Sequence, residues 1–273
     1  MATHGSAFPI AKLALNNNVP PILMASLRMG LVMLLLLPFW KFKIPDKKYL
    51  KFLFLFSFSM GVLVYVFMNL SLKYSTFISP IIIGSQLAVP FAVVLSAIMI
   101  GENISKKKWV FIFLAFFGIT VVFFDPELKN NLIGLLFASL MALFFAIAQV
   151  YSRKLKELSL TLINAYTGLF GFFILIIVSF FIEGEVVANI KNINLESWML
   201  IGYQAIIVSL FAHMSMFYLY KFYTVGQIFP FYSLFPIFGI ILTFLIFGEI
   251  PSLLFFIGSF FVISSVILLQ KTK

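Results

Sequence analysis

The sequence predicts an all-α integral membrane protein in which ten transmembrane helices form two inverted repeats of five. Three observations support this prediction: the composition, the length of the apolar runs, and the distribution of basic residues among the connections. Hydrophobic residues make up 63% of the 273 residues and charged residues 10%, against about 45–50% and about 25% in a soluble domain. Most of the chain is therefore expected to lie within lipid.

Ten apolar runs succeed one another along the chain. A helix needs roughly 20 apolar residues to cross a bilayer, and the runs lack the alternating pattern of barrel strands. Helices with short connections also satisfy every backbone group in lipid. The runs cover residues 2–15, 19–40, 50–72, 76–100, 109–124, 131–151, 160–182, 198–220, 225–247 and 252–269.

The first run is shorter than the others. At about 1.5 Å per residue it reaches roughly 22 Å, less than the thickness of the hydrocarbon core, which is about 30 Å. The sequence therefore predicts a truncated first helix that lacks its first half. We expect the native reading frame to begin upstream of Met1.

Basic residues are distributed unequally between the two alternating sets of connections. One set, taken with the two termini, carries fourteen Lys and Arg residues, and the other carries three. Basic residues near membrane spans concentrate on the cytoplasmic side, so the ten-helix arrangement places both termini in the cytoplasm. The fourteen are Lys41, Lys43, Lys47, Lys48, Lys51, Lys106, Lys107, Lys108, Arg153, Lys154, Lys156, Lys221, Lys271 and Lys273, and the three are Lys73, Lys129 and Lys191.

The composition also argues against several classes of function. The chain has no cysteine, which removes disulfides and Cys-based nucleophiles or metal sites. The net charge of +10 follows from the basic residues that flank the spans, so we expect no nucleic-acid partner. An intramembrane enzyme, the remote alternative, would need a convergent acid, base or nucleophile. The spans hold no mid-helix carboxylate, so the sequence predicts no catalytic residue, metal or cofactor.

The chain divides near residue 127 into repeats 1–127 and 128–273, each with five of the predicted helices. Because five is odd, the second repeat enters the membrane in the opposite orientation. The fourth helix of each repeat, in residues 73–102 and 222–249, follows a Tyr and a hydroxyl residue, contains two prolines and ends at Gly-Glu. Interrupted apolar helices at corresponding positions of inverted repeats are typical of transporter binding sites. The alternative is that Gly simply ends both helices.

Polar side chains inside the spans are the candidates for substrate binding, because they are costly in lipid unless they face a cavity or a partner. Gln86 and Tyr232 come first, since each lies midway along the interrupted helix of its repeat. An amide both donates and accepts hydrogen bonds, which suits a zwitterionic or amide-bearing substrate. An interhelical hydrogen bond is the alternative role of Gln86. The further candidates are Tyr65 and Asn69 on one face of helix 3, Gln149 in helix 6, His213 in helix 8, Gln227 in helix 9 and Arg28 in helix 2.

Three ionisable side chains deserve separate consideration because they lie within the predicted spans. Arg28 is roughly 13 Å from the end of helix 2, so packing, helix capping and substrate contact are its alternative roles. Lys12 is nearer the interface and is expected to snorkel towards it. His213 titrates near neutral pH and would relay a proton, bind substrate or pack through a hydrogen bond. All nine carboxylates lie in connections or at helix ends, which favours a facilitator or exchanger unless His213 couples transport to protons.

Several motifs occur in a specific order along the chain. They are HGSAFPIAK at 4–12, Pro20-Pro21 followed by Ala25, Leu27 and Arg28, LKYST at 72–76, and Gly-Glu at 101–102 and 248–249. In these motifs the chain resembles, over nearly its whole length, the EamA-like members of the drug/metabolite transporter superfamily, bacterial inner-membrane proteins with ten helices in two inverted repeats. It departs from the family in two places. His4 replaces the usual Trp, and Pro90 precedes Gly101 by eleven residues, whereas Pro236 precedes Gly248 by twelve.

The resemblance implies a secondary transporter that moves small metabolites by alternating access. The implied substrates are amino acids or their derivatives, nucleoside-like metabolites, or drugs, and the implied direction is export or exchange. Import of a host or environmental metabolite, such as S-adenosylmethionine, is the alternative. The resemblance also implies a multi-pass protein of the bacterial inner membrane that functions as a monomer. Its expected partners are a small-molecule substrate and the lipid bilayer.

Overall fold

The computed structural model describes residues 2–40, 44–212, 215 and 235–272. All regular secondary structure in these residues is helical, and seven of the helices found there are long and apolar enough to cross a membrane. The predicted all-α architecture is therefore confirmed. The count of ten spans stays a prediction.

The longer helices are labelled α1 to α10 in chain order. They are α1 (Ala7–Asn16), α2 (Pro21–Trp40), α3 (Lys47–Lys73), α4 (Ser79–Met99), α5 (Lys106–Phe123), α6 (Leu132–Ser152), α7 (Leu160–Ile182), α8 (Leu195–Ala212), α9 (Phe235–Phe247) and α10 (Leu253–Lys271). The short helices Ala2–Gly5 and Val186–Lys191 precede α1 and follow α7. Within the described residues, α1 and α9 are shorter than a membrane span, and α5 begins with three lysines.

The helices pack as two halves, α1–α5 and α6–α10, whose members correspond one to one. α2 packs against its counterpart α7, α5 against α10, and α4 against α9. Contacts between non-equivalent helices also occur in matched pairs. The contact of α3 with α6 matches that of α8 with α1, the contact of α4 with α6 matches that of α9 with α1, and the contact of α3 with α7 matches that of α8 with α2. Exchanging the two halves leaves these contacts unchanged, as a two-fold relation between repeats requires.

Equivalent helices run antiparallel, which makes the repeat an inverted one. Glu183, directly after α7, hydrogen-bonds the backbone at the start of α2. Glu249, after α9, does the same at the start of α4, and Asp125, after α5, accepts a hydrogen bond from Ser252 just before α10. In each pair the C-terminal end of one helix therefore meets the N-terminal end of its counterpart.

Glycines allow the closest approaches between equivalent helices. A Cβ atom on Gly258 of α10 would stand 2.6 Å from the carbonyl oxygen of Gly118 in α5, and one on Gly118 would stand 2.7 Å from that of Gly258. A Cβ on Gly168 of α7 would lie 2.9 Å from the Met33 nitrogen in α2. Small residues at such crossings let helix backbones approach each other in membrane proteins.

Two carboxylates, the buried Glu249 and the partly buried Glu183, cap helix N-termini at one end of the bundle, here called the acidic end and defined by Asp125, Glu183 and Glu249. Glu183 accepts hydrogen bonds of 2.8 Å each from the first free N–H groups of α2. Glu249, 7% exposed, accepts bonds of 2.7 and 2.8 Å from the backbone of Ile78 and Ser79. The first N–H groups of a helix have no intrahelical partner, and negative charge is favourable there. These carboxylates therefore stabilise both helix starts.

Lys12 caps a helix C-terminus at the same end. Its Nζ donates hydrogen bonds of 2.7 Å to the carbonyl oxygens of both Leu72 and Ser75, where α3 ends. The last carbonyls of a helix lack partners and attract cations. The expectation that Lys12 snorkels to an interface is therefore replaced by a capping role within the bundle.

Helix α4 is interrupted, as predicted, and Pro90 is the cause. Its two pieces are Ser79–Ser85 and Ala88–Ile100. Proline has no N–H for the carbonyl four residues earlier, and its ring crowds that carbonyl. The carbonyl here belongs to Gln86, which instead accepts a 3.1 Å bond from the Val89 N–H. Gln86 therefore sits at the break between the two pieces.

Candidate functional site

A buried network of polar side chains surrounds Arg28 in the interior of the bundle. Arg28 is 5% exposed; its Nε donates to Ser209 Oγ at 3.0 Å, and its Nη1 donates to Gln204 Oε1 at 2.8 Å. The guanidinium carbon lies 4.3 Å from the centroid of the Tyr65 ring, a cation–π arrangement. The network thus joins α2 and α3 of the first half to α8 of the second.

Gln204 extends the network to α1. Its Nε2 donates to the carbonyl of Ala7 at 2.6 Å, while its Oε1 accepts from Arg28. One residue earlier, the Tyr203 hydroxyl lies 2.9 Å from Ser6 Oγ. Because both ends of the Gln204 amide are bonded, its orientation is fixed, and polar contacts hold α1 and α2 to α8.

Both helices that supply partners for Arg28 contain a π-helical segment. In α3 the segment Phe58–Leu63 ends two residues before Tyr65. In α8 the segment Gln204–Ala212 begins at Gln204 and contains the other partner, Ser209. Residues five apart are hydrogen-bonded neighbours in a π-helix, and such segments occur frequently at functional sites. The two segments lie in equivalent helices, so both halves depart from regular α-helix beside the same cation.

No side-chain carboxylate of this chain neutralises Arg28. All nine Asp and Glu residues fall in the described part of the chain, where the ion pairs are Lys48–Glu157 and Arg153–Glu102 at the other end of the bundle, here called the basic end. The side chains that accept hydrogen bonds from Arg28 are all neutral. A buried charge without a counter-ion is costly, and intramembrane charges usually mark binding or transport sites.

Among the predicted candidates, Arg28 and Tyr65 lie in this network and Asn69 lies beside it. Asn69 is 2% exposed and follows Tyr65 by one turn of α3. Its Nδ2 donates to the Pro21 carbonyl at 2.8 Å, at the start of α2. The predicted shared face of Tyr65 and Asn69 thus points to α2.

Gln86 and Gln149 lie outside the network. The Gln86 side chain is 5% exposed at the break in α4 and forms no hydrogen bond with any described residue, although an amide offers both donors and an acceptor. Gln149 is exposed on α6. Gln86 therefore presents unused hydrogen-bonding capacity inside the bundle, whereas Gln149 does not.

Three predicted candidates, His213, Gln227 and Tyr232, lie outside the described residues. The sequence places Tyr232 four residues before Pro236, as Gln86 stands four residues before Pro90. Proline removes the hydrogen bond to the carbonyl four residues earlier. Tyr232 therefore stays the predicted counterpart of Gln86.

Gln204 and Ser209 are partners of Arg28 that sequence reasoning overlooks. The sequence does contain a sign of their role, because both are polar residues, five positions apart, within the apolar run 198–220. A period of five, however, is not expected of a regular α-helix. The capping role of Glu249 was also hidden, since the Gly-Glu pattern marks a helix end without naming the helix that its carboxylate meets. No cluster of three or more His, Asp or Glu that would hold a metal occurs in the described part of the chain.

The chain is similar to known transporters in sequence and to a solved structure in fold. The model of the EamA-like transporter family matches it twice, over residues 1–124 and 132–270. A crystal structure described only as that of a protein shares 14% sequence identity with it at a TM-score of 0.57, with 99% of this chain and 98% of that chain covered. No protein of curated function matches the sequence.

Proposed function

Because the chain belongs to the EamA-like transporter family, we propose that it is a secondary transporter that moves a small metabolite across the membrane by alternating access. Family membership and the apolar helices make it a multi-pass membrane transporter of small molecules. The proposal adds the mechanism and the direction, which is export or exchange. Amino acids or their derivatives, nucleoside-like metabolites and drugs are the proposed substrates.

The Arg28 network is the observation that carries this proposal. It is buried, polar, and built from α1, α2 and α3 of one half together with α8 of the other. Binding sites of inverted-repeat transporters lie at the interface between repeats, near the middle of the bilayer. Rocking of one half against the other would change the contacts of Arg28 with α8. The location of the network therefore supports a substrate site there.

The positions of the carboxylates at the acidic end support exchange or facilitated transport over proton-driven pumping. Glu183 and Glu249 are committed to helix N-termini, and Asp125 bonds Ser252. A proton relay needs a carboxylate or a histidine that is free to change its charge along the transport path. The two histidines are the remaining candidates for such a role: His4, which is buried, and His213.

We further propose that the basic end faces the cytoplasm and that the protein resides in a bacterial inner membrane as a functional monomer. The excess of Lys and Arg at that end supports this orientation under the positive-inside rule. Residues 1–127 and 128–273 would then be the two halves that move against each other, with the bilayer and a small-molecule substrate as partners.

Counterflow in proteoliposomes tests the proposal. Vesicles loaded with an unlabelled solute from a metabolite panel are placed in a trace of the same labelled solute. A carrier accumulates label transiently because it exchanges, whereas a pore only equilibrates it. We expect transient accumulation for at least one amino-acid-like or nucleoside-like solute. Simple equilibration, or no flux for the whole panel, contradicts the proposal.

The same assay tests the contribution of Gln86. We expect Gln86→Leu to reduce exchange at least tenfold, because it removes an amide at the break in α4 that bonds no described residue, while keeping a similar volume. Asn164→Leu is the matched control, since within the described part of the chain its amide donates to the Leu160 carbonyl of its own helix, at 2.9 Å. Equal exchange by both variants would remove Gln86 from the site.

A further inference from the structure

Arg28 does not use all of its hydrogen-bonding capacity. A guanidinium carries five N–H donors. Nε and Nη1 each make one bond of normal length, and Nη2 reaches the Tyr65 hydroxyl only at 3.5 Å, beyond the usual range of about 2.7–3.2 Å. At least one donor on Nη1 and one on Nη2 therefore have no partner in the described part of the chain.

The neighbours of Arg28 fix its orientation without neutralising its charge. Ser209 accepts from Nε, Gln204 accepts from Nη1, and the Tyr65 ring lies against the face of the guanidinium. Gln204 is itself held by the Ala7 carbonyl. A planar guanidinium held in this way recognises carboxylate or phosphate oxygens in a two-pronged geometry.

The number of charges distinguishes these two anions. Among the described residues, Lys12 is the other Lys or Arg that hydrogen-bonds inside the bundle, and its ammonium is already bonded to two carbonyls at the end of α3. A phosphate monoester carries about two negative charges at neutral pH, whereas a carboxylate carries one. A single free guanidinium balances one charge, so the site suits a carboxylate better.

We propose that Arg28 binds the carboxylate of the transported substrate, which makes the substrate a small carboxylate-bearing molecule. The inference rests on the proposed function and adds the chemical class of the solute. The substrate carboxylate would take the free donors on Nη1 and Nη2 and supply the counter-ion that the chain lacks. Tyr65, Gln204 and Ser209 act as positioning residues that aim the guanidinium.

The test compares three pools of solutes on the purified full chain: L-amino acids, the corresponding primary amides, and phosphate monoesters such as glycerol 3-phosphate. Binding is read as a rise in the thermal midpoint in detergent, and transport as counterflow. We expect the wild type to prefer the L-amino acids over both other pools by at least tenfold. A preference for amides or phosphate monoesters overturns the inference.

Substitutions then assign the preference to Arg28. Removing one partner of a buried charge pair costs at least about 30-fold in affinity, so Arg28→Gln should lose that factor for the carboxylate pool and change amide binding less than about threefold. Arg28→Lys should retain part of the preference, because it keeps the charge but not the planar fork. Lys12→Gln is the control: it removes the other intramembrane cation and should lower stability without changing the preference.

The outcomes separate this inference from the proposed function. Exchange of amides or neutral solutes, but not of carboxylates, contradicts the inference and is still consistent with the transporter proposal. No exchange of any pool contradicts both. An unchanged carboxylate preference in Arg28→Gln also overturns the inference. If both Arg28 variants fail to fold, the ranking of the three pools by the wild type decides.

Discussion

At the residue scale, the buried and partly buried charges of the described residues divide into those that close helix ends and Arg28, which does not. Glu183, Glu249 and Lys12 each meet backbone groups that a helix leaves unpaired at its termini. Two hydrogen bonds each therefore compensate the burial of Glu249 and the partial burial of Glu183 and Lys12. Arg28 differs, because its described partners are neutral side chains and some of its donors have no partner in the part of the chain that the structure describes. Burial alone thus does not mark a charge as functional, whereas burial without an opposite charge and with unused hydrogen-bond donors does.

The Glu249 cap should make a measurable contribution to stability. Glu249→Ala would leave the two N–H groups of Ile78 and Ser79, at the start of α4, unsatisfied, and we expect the free energy of unfolding to fall by about 2–6 kcal/mol, since each such group costs about 1–3 kcal/mol. Glu249→Gln should lose roughly half as much, because one acceptor remains. Unfolding of the purified protein by denaturant measures both. Glu127→Ala is the control at the same end, since its side chain is exposed; an equal effect of the two alanine variants would refute the cap.

At the element scale, backbone contacts rather than apolar pattern decide how the helices cross. The α5–α10 pair meets at Gly118 and Gly258, where each Cα faces the carbonyl of the other helix. Dispersion forces and close packing drive helix association in lipid, since the surrounding tails are as apolar as the helices. A side chain added at this crossing would therefore separate the pair.

Gly258→Ala tests this contact. The new Cβ would stand 2.6 Å from both the Gly118 carbonyl oxygen and a Val122 methyl group, and relieving such overpacking typically costs about 1–3 kcal/mol. Gly202→Ala, in α8, is the matched control, because no atom of the described residues lies within 4 Å of its added Cβ. It should be neutral or stabilising by about 0.5–1 kcal/mol, as expected for glycine in a helix interior. Thermal unfolding in detergent compares them, and a stable Gly258→Ala protein would rule out tight packing at this crossing.

At the scale of the whole molecule, the two halves follow one plan but differ at their ends. Gly101 and Gly248 both end their helices in the left-handed region, with φ of 79° and 66°, and a glutamate follows each. Glu249 is buried against the start of α4, whereas Glu102 is half exposed and pairs with Arg153. The halves are therefore related by symmetry in packing but not in electrostatics.

Single cysteines can report the orientation of the molecule, because the chain has none of its own. Lys156→Cys lies at the basic end and Lys191→Cys lies in a connection of the opposite set, and both positions are exposed. In intact cells, a membrane-impermeant maleimide should label Lys191→Cys, while Lys156→Cys should react only after the cells are opened. Ala138→Cys, at a fully buried position, should stay unlabelled in both cases. The reverse pattern would invert the proposed topology.

The sequence alone determined the features that depend on local physics. Apolar length and composition predicted the helices, since lipid leaves the backbone no other way to pair its polar groups. The spacing of Pro90 from Gln86 determined the break in α4, because proline acts on the carbonyl four residues earlier. The two Gly-Glu sites predicted helix ends, since glycine readily adopts the left-handed conformation found there.

Only the tertiary structure decided which groups meet across the bundle. Lys12 could snorkel or cap, and Arg28 could pack, cap or bind; their positions along a helix did not choose, because the partners come from residues 60 to 181 positions away in the chain. The π-helical register that brings Gln204 and Ser209 to Arg28 likewise has no signature in apolar periodicity. Local sequence pattern determines where a helix starts, breaks and ends. Whether a buried charge is neutralised and hydrogen-bonded depends on side chains that only the packing of helices brings into contact.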